Sequence, residues 1–125
     1  MQEMQLEMAD ASALGPHRVS TLDAAHLCTA AFSSATIYYP EGGAQLPSIV
    51  IVGGWGCGEQ VQAAWAPFYA SHGIVAMTIG TPAPWTDVCE ARAEALLDAS
   101  AALQDENARA GSALVGRLDT SSRAV

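Results

Sequence analysis

The stretch "SIVIVGGWGCGEQVQAAWAPFYASHGIVAMTIG", residues 48–80, decides the fold class of this chain. "SIVIV" (48–52) is apolar on both faces, which marks a strand covered on both sides, as in a parallel sheet. "IVAMTI" (74–79) repeats that character and reads as a second doubly buried strand. Between them Val61, Ala64, Trp65 and Phe68 recur at three- and four-residue spacing, so a helix is expected from Gln60 to Ser71. Pro67 should kink that helix or end its regular part, and "SHG" (71–73) breaks it. The first strand runs straight into a glycine-rich turn with Trp55 at its centre.

Working outward on the amino side, "HRVSTLDA" (17–24) and "SSATIYYP" (33–40) read as strands, the second stopped by Pro40. "EGGAQLP" (41–47) is the turn that follows. On the carboxyl side, "GTPAPWTD" (80–87) is a loop, and Thr86 or Asp87 is positioned to cap a long helix over 88–110, with Glu90 completing a capping box. Val88, Ala91, Ala95, Ala99 and Leu103 make its inward stripe, and Gly111 is placed to end it as C′. "RLDTSSRAV" (117–125) then begins a third parallel strand. The order β-β-β-α-β-α-β defines an α/β chain whose two leading strands pair antiparallel. Residues 1–14 read as a frayed segment and 15–125 as one domain. Its last strand has no partner on the far side, so the chain reads as the front part of a larger domain.

Composition removes several classes. The chain has 125 residues, 50% of them hydrophobic, enough for one modest core. No apolar run approaches the ~20 residues of a membrane-spanning helix. The start, "MQEMQLEMAD", has neither a basic n-region nor an apolar h-region, so a secretory leader is either absent or already removed. The net charge is −8, and the five basic residues are scattered arginines (Arg18, Arg92, Arg109, Arg117, Arg123), which leaves no footprint for nucleic acid. Cys28, Cys57 and Cys89 lack the spacing of a zinc ribbon or a C-x-x-C redox pair, and no metal or cofactor is implied.

The glycine turn admits three chemistries. A dinucleotide fingerprint needs G-x-G-x-x-G and an acid at the end of the next strand. Here Gly54 and Gly56 are followed by Glu59 at the last glycine position, and Gly80 stands where the acid belongs. A Walker phosphate loop needs a lysine, and the chain has none. The remaining reading is half of an oxyanion hole: in α/β-hydrolases the loop after a central parallel strand supplies one backbone N–H donor.

The pieces "SATIYYP", "VIVGGWG", "WAPFYASHGIVAMTI", Arg92 in the next helix, and "GRLDTSSRAV" resemble, in this order, the N-terminal part of bacterial cutinase-type polyester hydrolases. That group includes PET hydrolases and sits near dienelactone hydrolase-like lipases within the α/β-hydrolase superfamily. The resemblance implies the N-terminal part of an α/β-hydrolase fold. Its sheet is mostly parallel, with two leading strands and flanking helices, and ends before the nucleophile elbow G-x-S-M-G that the family carries directly after the last piece. It implies serine ester hydrolysis through an acyl-enzyme, with nucleophile, acid and base all beyond Val125 and none within this chain, which alone is expected to be inactive. By the same match the Trp55 backbone N–H is half of the oxyanion hole, flanked by Gly54 and Gly56, and the Trp55 ring is one wall of the ester cleft. The family more often has tyrosine or phenylalanine there, and the alternative for Trp55 is plain core packing.

Trp65 matches a core aromatic of the family. Trp85, at the carboxyl edge of the sheet, either lines the cleft or covers its own helix. His72 lies at the opposite end of its strand, and His17 and His26 flank an edge strand with no obvious partner, so none of the three is read as catalytic. Ser33, Ser34, Ser121 and Ser122 do not lie in an elbow. Cys57 and Cys89 fall in loops at one edge and are a candidate disulfide suited to an exported protein, with Cys28 left as an odd, small, buried thiol. The family is commonly secreted; this start shows no leader. The partners implied are a small-molecule or polymeric ester and whatever completes the sheet, a missing C-terminal half or a partner chain. Other classes remain: a truncated module without enzymatic role, a scaffold completed by a partner, or, more remotely, a small nucleotide- or flavin-binding domain.

Overall fold

All six residues of the strand Val75–Gly80 are buried, and the rest of the molecule is arranged to cover them. The structure, a computed structural model, describes residues 13–125; of the frayed segment read for 1–14, only Ala13 and Leu14 fall within it. Five strands occur in chain order, β1 (Val19–Asp23), β2 (Ser34–Pro40), β3 (Leu46–Val52), β4 (Val75–Gly80) and β5 (Leu118–Ala124), with helices α1 (Trp65–Ser71) and α2 (Cys89–Asp105). They form one sheet in the order β1-β2-β4-β3-β5. β3 runs parallel to β4 and to β5, while β2 is antiparallel to both β1 and β4. The sheet is therefore mixed rather than mostly parallel. Only β3–α1–β4 and β4–α2–β5 have the helical crossovers that parallel pairing requires.

Strand periodicity splits the sheet into two faces. Ala35, Ile37, Val50, Val75, Met77 and Ile79 share one cluster with Ala95, Ala99 and Leu103 of α2 and with Phe32, Leu114 and Leu118. Each fully buried valine, isoleucine or leucine here contributes about 2 kcal/mol by leaving water. The alanines on α2 let the helix lie close to the strands. Ala95, Ala99 and Leu103 keep the inward stripe read from the sequence, but Val88 is exposed.

Local expectations change at both helices. α1 begins only at Trp65, after a separate 3-10 turn at Glu59–Gln62, so Pro67 sits in its first turn, where its missing N–H costs nothing, and kinks no helix. The buried residues of this helix are Ala66, Ala70 and Ser71, whereas Val61 and Trp65 are exposed within the described chain. The N-cap of α2 is Val88 in extended conformation with no side-chain cap, because Asp87 is taken up by Arg92; no capping box forms. Nor is Gly111 its C′ residue: α2 stops at Asp105 and continues as tighter turns closed by bonds such as Asn107 N–H to Gln104 O. The break at "SHG" is as read. Gly73, at φ +90°, donates to Ala70 O and Ile74 N–H donates to Tyr69 O, each at 3.0 Å, which is the Schellman pattern.

Because β3 and β4 are parallel neighbours, the loops leaving their carboxyl ends, 53–58 and 81–88, emerge side by side. That edge carries the candidate site.

Candidate active site

Gly53 to Gly58 turn the chain away from β3; the turn closes on itself through Cys57 N–H to Gly54 O at 3.0 Å and is also held by the loop after β4. Gly56 lies at φ +72°, in the left-handed region that glycine tolerates. A Cβ added there would come within 2.8 Å of the Trp85 ring. The Gly56 N–H donates to Pro84 O at 2.7 Å. Trp55 and Trp85 meet edge to face, ring centroids 4.9 Å apart at 86°, a favoured arrangement of aromatic quadrupoles. The Trp55 indole N–H also donates to Trp85 O at 3.0 Å. Both residues are about two thirds exposed, 68% and 64%, so Trp55 packs into no core of the described residues, and Trp85 lies against the turn. No backbone carbonyl among the described residues accepts from the Trp55 backbone N–H.

Arg92, on the first turns of α2, joins the two loops. Its Nη1–H donates to Gly53 O, its Nη2–H to Pro84 O at 3.1 Å and its Nε–H to Asp87 Oδ1 at 3.0 Å. Below the turn, Thr78 Oγ1 donates to Glu59 Oε1 at 3.1 Å, anchoring the 3-10 turn to β4. In the sequence Arg92 is recognisable only as an arginine of α2, with nothing nearby along the chain to show this role beyond an acid five residues before it at the mouth of a proline-rich loop.

The three cysteines are free thiols, so the candidate Cys57–Cys89 disulfide is not formed. Cys57 Sγ faces Trp55 O at 3.6 Å, while Cys89 stands exposed at the first residue of α2. The pinning of loop to loop that such a bond would supply comes from Arg92 and the indole pair. Cys28 is half-buried; burial pushes its thiol up, and the charges of Glu59 and Asp23 push it further, which keeps it from acting as a thiolate.

The histidines take other partners. His72 Nε2 lies 2.8 Å from Ala13 O, and its ring packs on Phe68 at 4.8 Å. His17 donates its backbone N–H to Ser71 O and lies near Gly73, at the amino end of β4. His26 is not without a partner: its Nε2 is 2.6 Å from Oε1 of Glu106, a fully buried carboxylate also held by Arg109 and Ser112. Sequence separation of 80 residues hid this pair. Among the described residues no group of three or more histidine, cysteine, aspartate or glutamate side chains could hold a metal ion. No helix among them is long and apolar enough to cross a membrane.

The mixed sheet with its two crossover helices places the chain in the α/β class, in which open sheets bind ligands at the carboxyl edge of their parallel strands. A family model described as PETase, PET hydrolase-like, matches residues 6–125, and the chain belongs to that family. It is 36% identical over 112 residues to Cutinase 1 of Thermobifida cellulosilytica, an alignment covering 89% of this chain and 41% of that protein. The same identity and length hold for the Cutinase of Thermobifida fusca (strain YX), of which 36% is covered. The chain thus spans about two fifths of the length of the curated relatives it matches.

Proposed function

We propose that this chain supplies the oxyanion loop and part of the ester cleft of a serine carboxylic-ester hydrolase, built on the N-terminal part of an α/β-hydrolase fold over residues 15–125. The observation that carries the reading is the Trp55 turn: a backbone N–H with no backbone acceptor among the described residues, at the carboxyl end of a parallel strand, under an exposed aromatic ring. Membership in the PET hydrolase-like family and likeness to two cutinases support the ester as substrate. In the reaction a serine attacks the ester carbonyl, the alcohol leaves, and water releases the acyl group. A preorganised donor at the tetrahedral oxygen contributes about 3 kcal/mol to the transition state. Gly56, at φ +72°, gives the turn its shape with Gly54 beside it, and the Trp55 and Trp85 rings form an apolar wall suited to hydrophobic or aromatic acyl groups. The nucleophile, acid and base are assigned to the sequence beyond Val125, so this chain alone turns over no ester.

An open groove of about 350 Å³ beside β3, lined by Ile49, Ile51, Trp65, Tyr69 and Val125, supports the view that more of the same domain covers this face. A scaffold completed by a partner is the alternative. Reading the coding DNA past the Val125 codon separates them. An in-frame G-x-S-x-G within a few codons, with Asp and His later, supports the hydrolase; a stop codon favours the scaffold. In the protein carrying that elbow, Trp55→Pro removes the donor and should lower kcat by about 10²–10³, while Trp55→Tyr should keep it. Equal kcat in both variants would sink the oxyanion role.

A further inference from the structure

We infer that Arg92 is the positioning residue of the site: its guanidinium fixes the Trp55 turn against the Pro82–Asp87 loop, and so sets the direction of the Trp55 N–H and the angle between the two indoles. The inference rests on the oxyanion reading for its functional meaning, but its geometry stands apart from it. Arg92 continues the stripe of α2 that packs Ala95, Ala99 and Leu103 on the sheet, one turn nearer the helix start. At that position the helix has passed the strand ends, and a long side chain reaches the loops instead of the core. The Arg92 side chain is 13% exposed, and its three guanidinium nitrogens donate to three different acceptors. Gly53 O lies on one loop, Pro84 O on the other, and Asp87 orients the fork from Nε.

The consequence follows from backbone freedom. Gly53, Gly54 and Gly56 have wide dihedral choice, and the bond that closes the turn on itself, Cys57 N–H to Gly54 O at 3.0 Å, does not tie it to its neighbours. Arg92 to Gly53 O before the tryptophan and Gly56 N–H to Pro84 O after it, with the Trp55 indole N–H to Trp85 O, make that tie. Pro84 O is also bonded to Arg92, so one planar fork restrains both ends of the Trp55 peptide. Lysine is a single point charge on a flexible stem and cannot span these acceptors in a fixed plane.

The test is circular dichroism of the full chain, which reads the exciton couplet of two edge-to-face indoles, with Trp85→Phe identifying that couplet and the backbone signal checking the fold. Arg92→Lys should lose at least about half of the couplet with its backbone signal intact, and Asp87→Asn, which only frees Nε, should lose a smaller part. A full couplet in Arg92→Lys overturns the assignment; should that variant not fold, a full couplet in Asp87→Asn overturns it instead. A lost couplet together with equal kcat in the Trp55 variants would leave Arg92 as the positioning residue and remove the oxyanion reading. An intact couplet would leave the oxyanion reading untouched.

Discussion

At Gly56 two constraints coincide: a positive φ of +72° and a Trp85 ring 2.8 Å from where a Cβ would stand. Gly56→Ala therefore strains the backbone and displaces Trp85, and should destabilise the protein by about 1–2 kcal/mol in urea unfolding. Gly54, with open space at its Cβ position and no positive φ, is the control. Gly54→Ala should fall within about 0.5 kcal/mol of wild type. An equal cost at both positions would mean that the turn needs glycine only for general flexibility. The same residue scale decides the cysteines: Cys57 serves the turn through its contact with Trp55 O, not through a covalent link.

Among the elements, α1 shows how position inside a helix changes the meaning of a residue. It has seven residues, starts at Trp65 and ends on Gly73 through two well-made carbonyl caps. Proline in a helix interior costs about 3 kcal/mol, but at the third residue it lacks only an N–H that would find no helical acceptor. Pro67→Ala should change stability by less than about 1 kcal/mol by thermal unfolding. A gain of about 3 kcal/mol would mean instead that the helix extends toward Gln60 in solution and is kinked. α2 is set by its alanine stripe and by Arg92 at its start, not by a capping side chain.

For the molecule as a whole, the buried Glu106 staples the end of α2 to the loop between β1 and β2. Burial pushes its carboxyl up, but hydrogen bonds from Arg109, Ser112 and His26, with the Arg109 charge, outweigh burial and hold it at about 2 against an ordinary 4.5. A carboxyl lowered on folding stabilises above its unfolded value, and that stability is lost as pH falls from about 4.5 to about 2. The difference corresponds to about 3 kcal/mol at neutral pH. Glu106→Gln should lose about that much at pH 7 and converge on wild type near pH 2, measured by urea unfolding across the range. A constant gap between the two proteins at every pH would rule out the charged form as the source. Arg117 acts at the same scale, tying Pro40 O, Gly42 O and Gly43 O of the β2–β3 turn to the start of β5.

The five strands, the two helices, the break at Gly73 and the family were legible in the sequence. Alternation, three-to-four spacing and turn chemistry depend on residues close along the chain. Trp55 could be singled out because a tryptophan among glycines after an apolar run has few other uses. Which face of α1 is buried was not legible: Trp65 and Ala66 are neighbours, and only the sheet beneath decides that the alanine goes in. The mixed pairing, with β4 inserted between β2 and β3, also depends on the assembled sheet. So do the Trp55–Trp85 contact, the Arg92 fork and the His26–Glu106 pair, each joining residues brought together only by folding. The sequence by itself determined the order of the elements and the family. The tertiary structure decided what holds the Trp55 turn in place, because side-chain partners are set by distance in space and not by spacing along the chain.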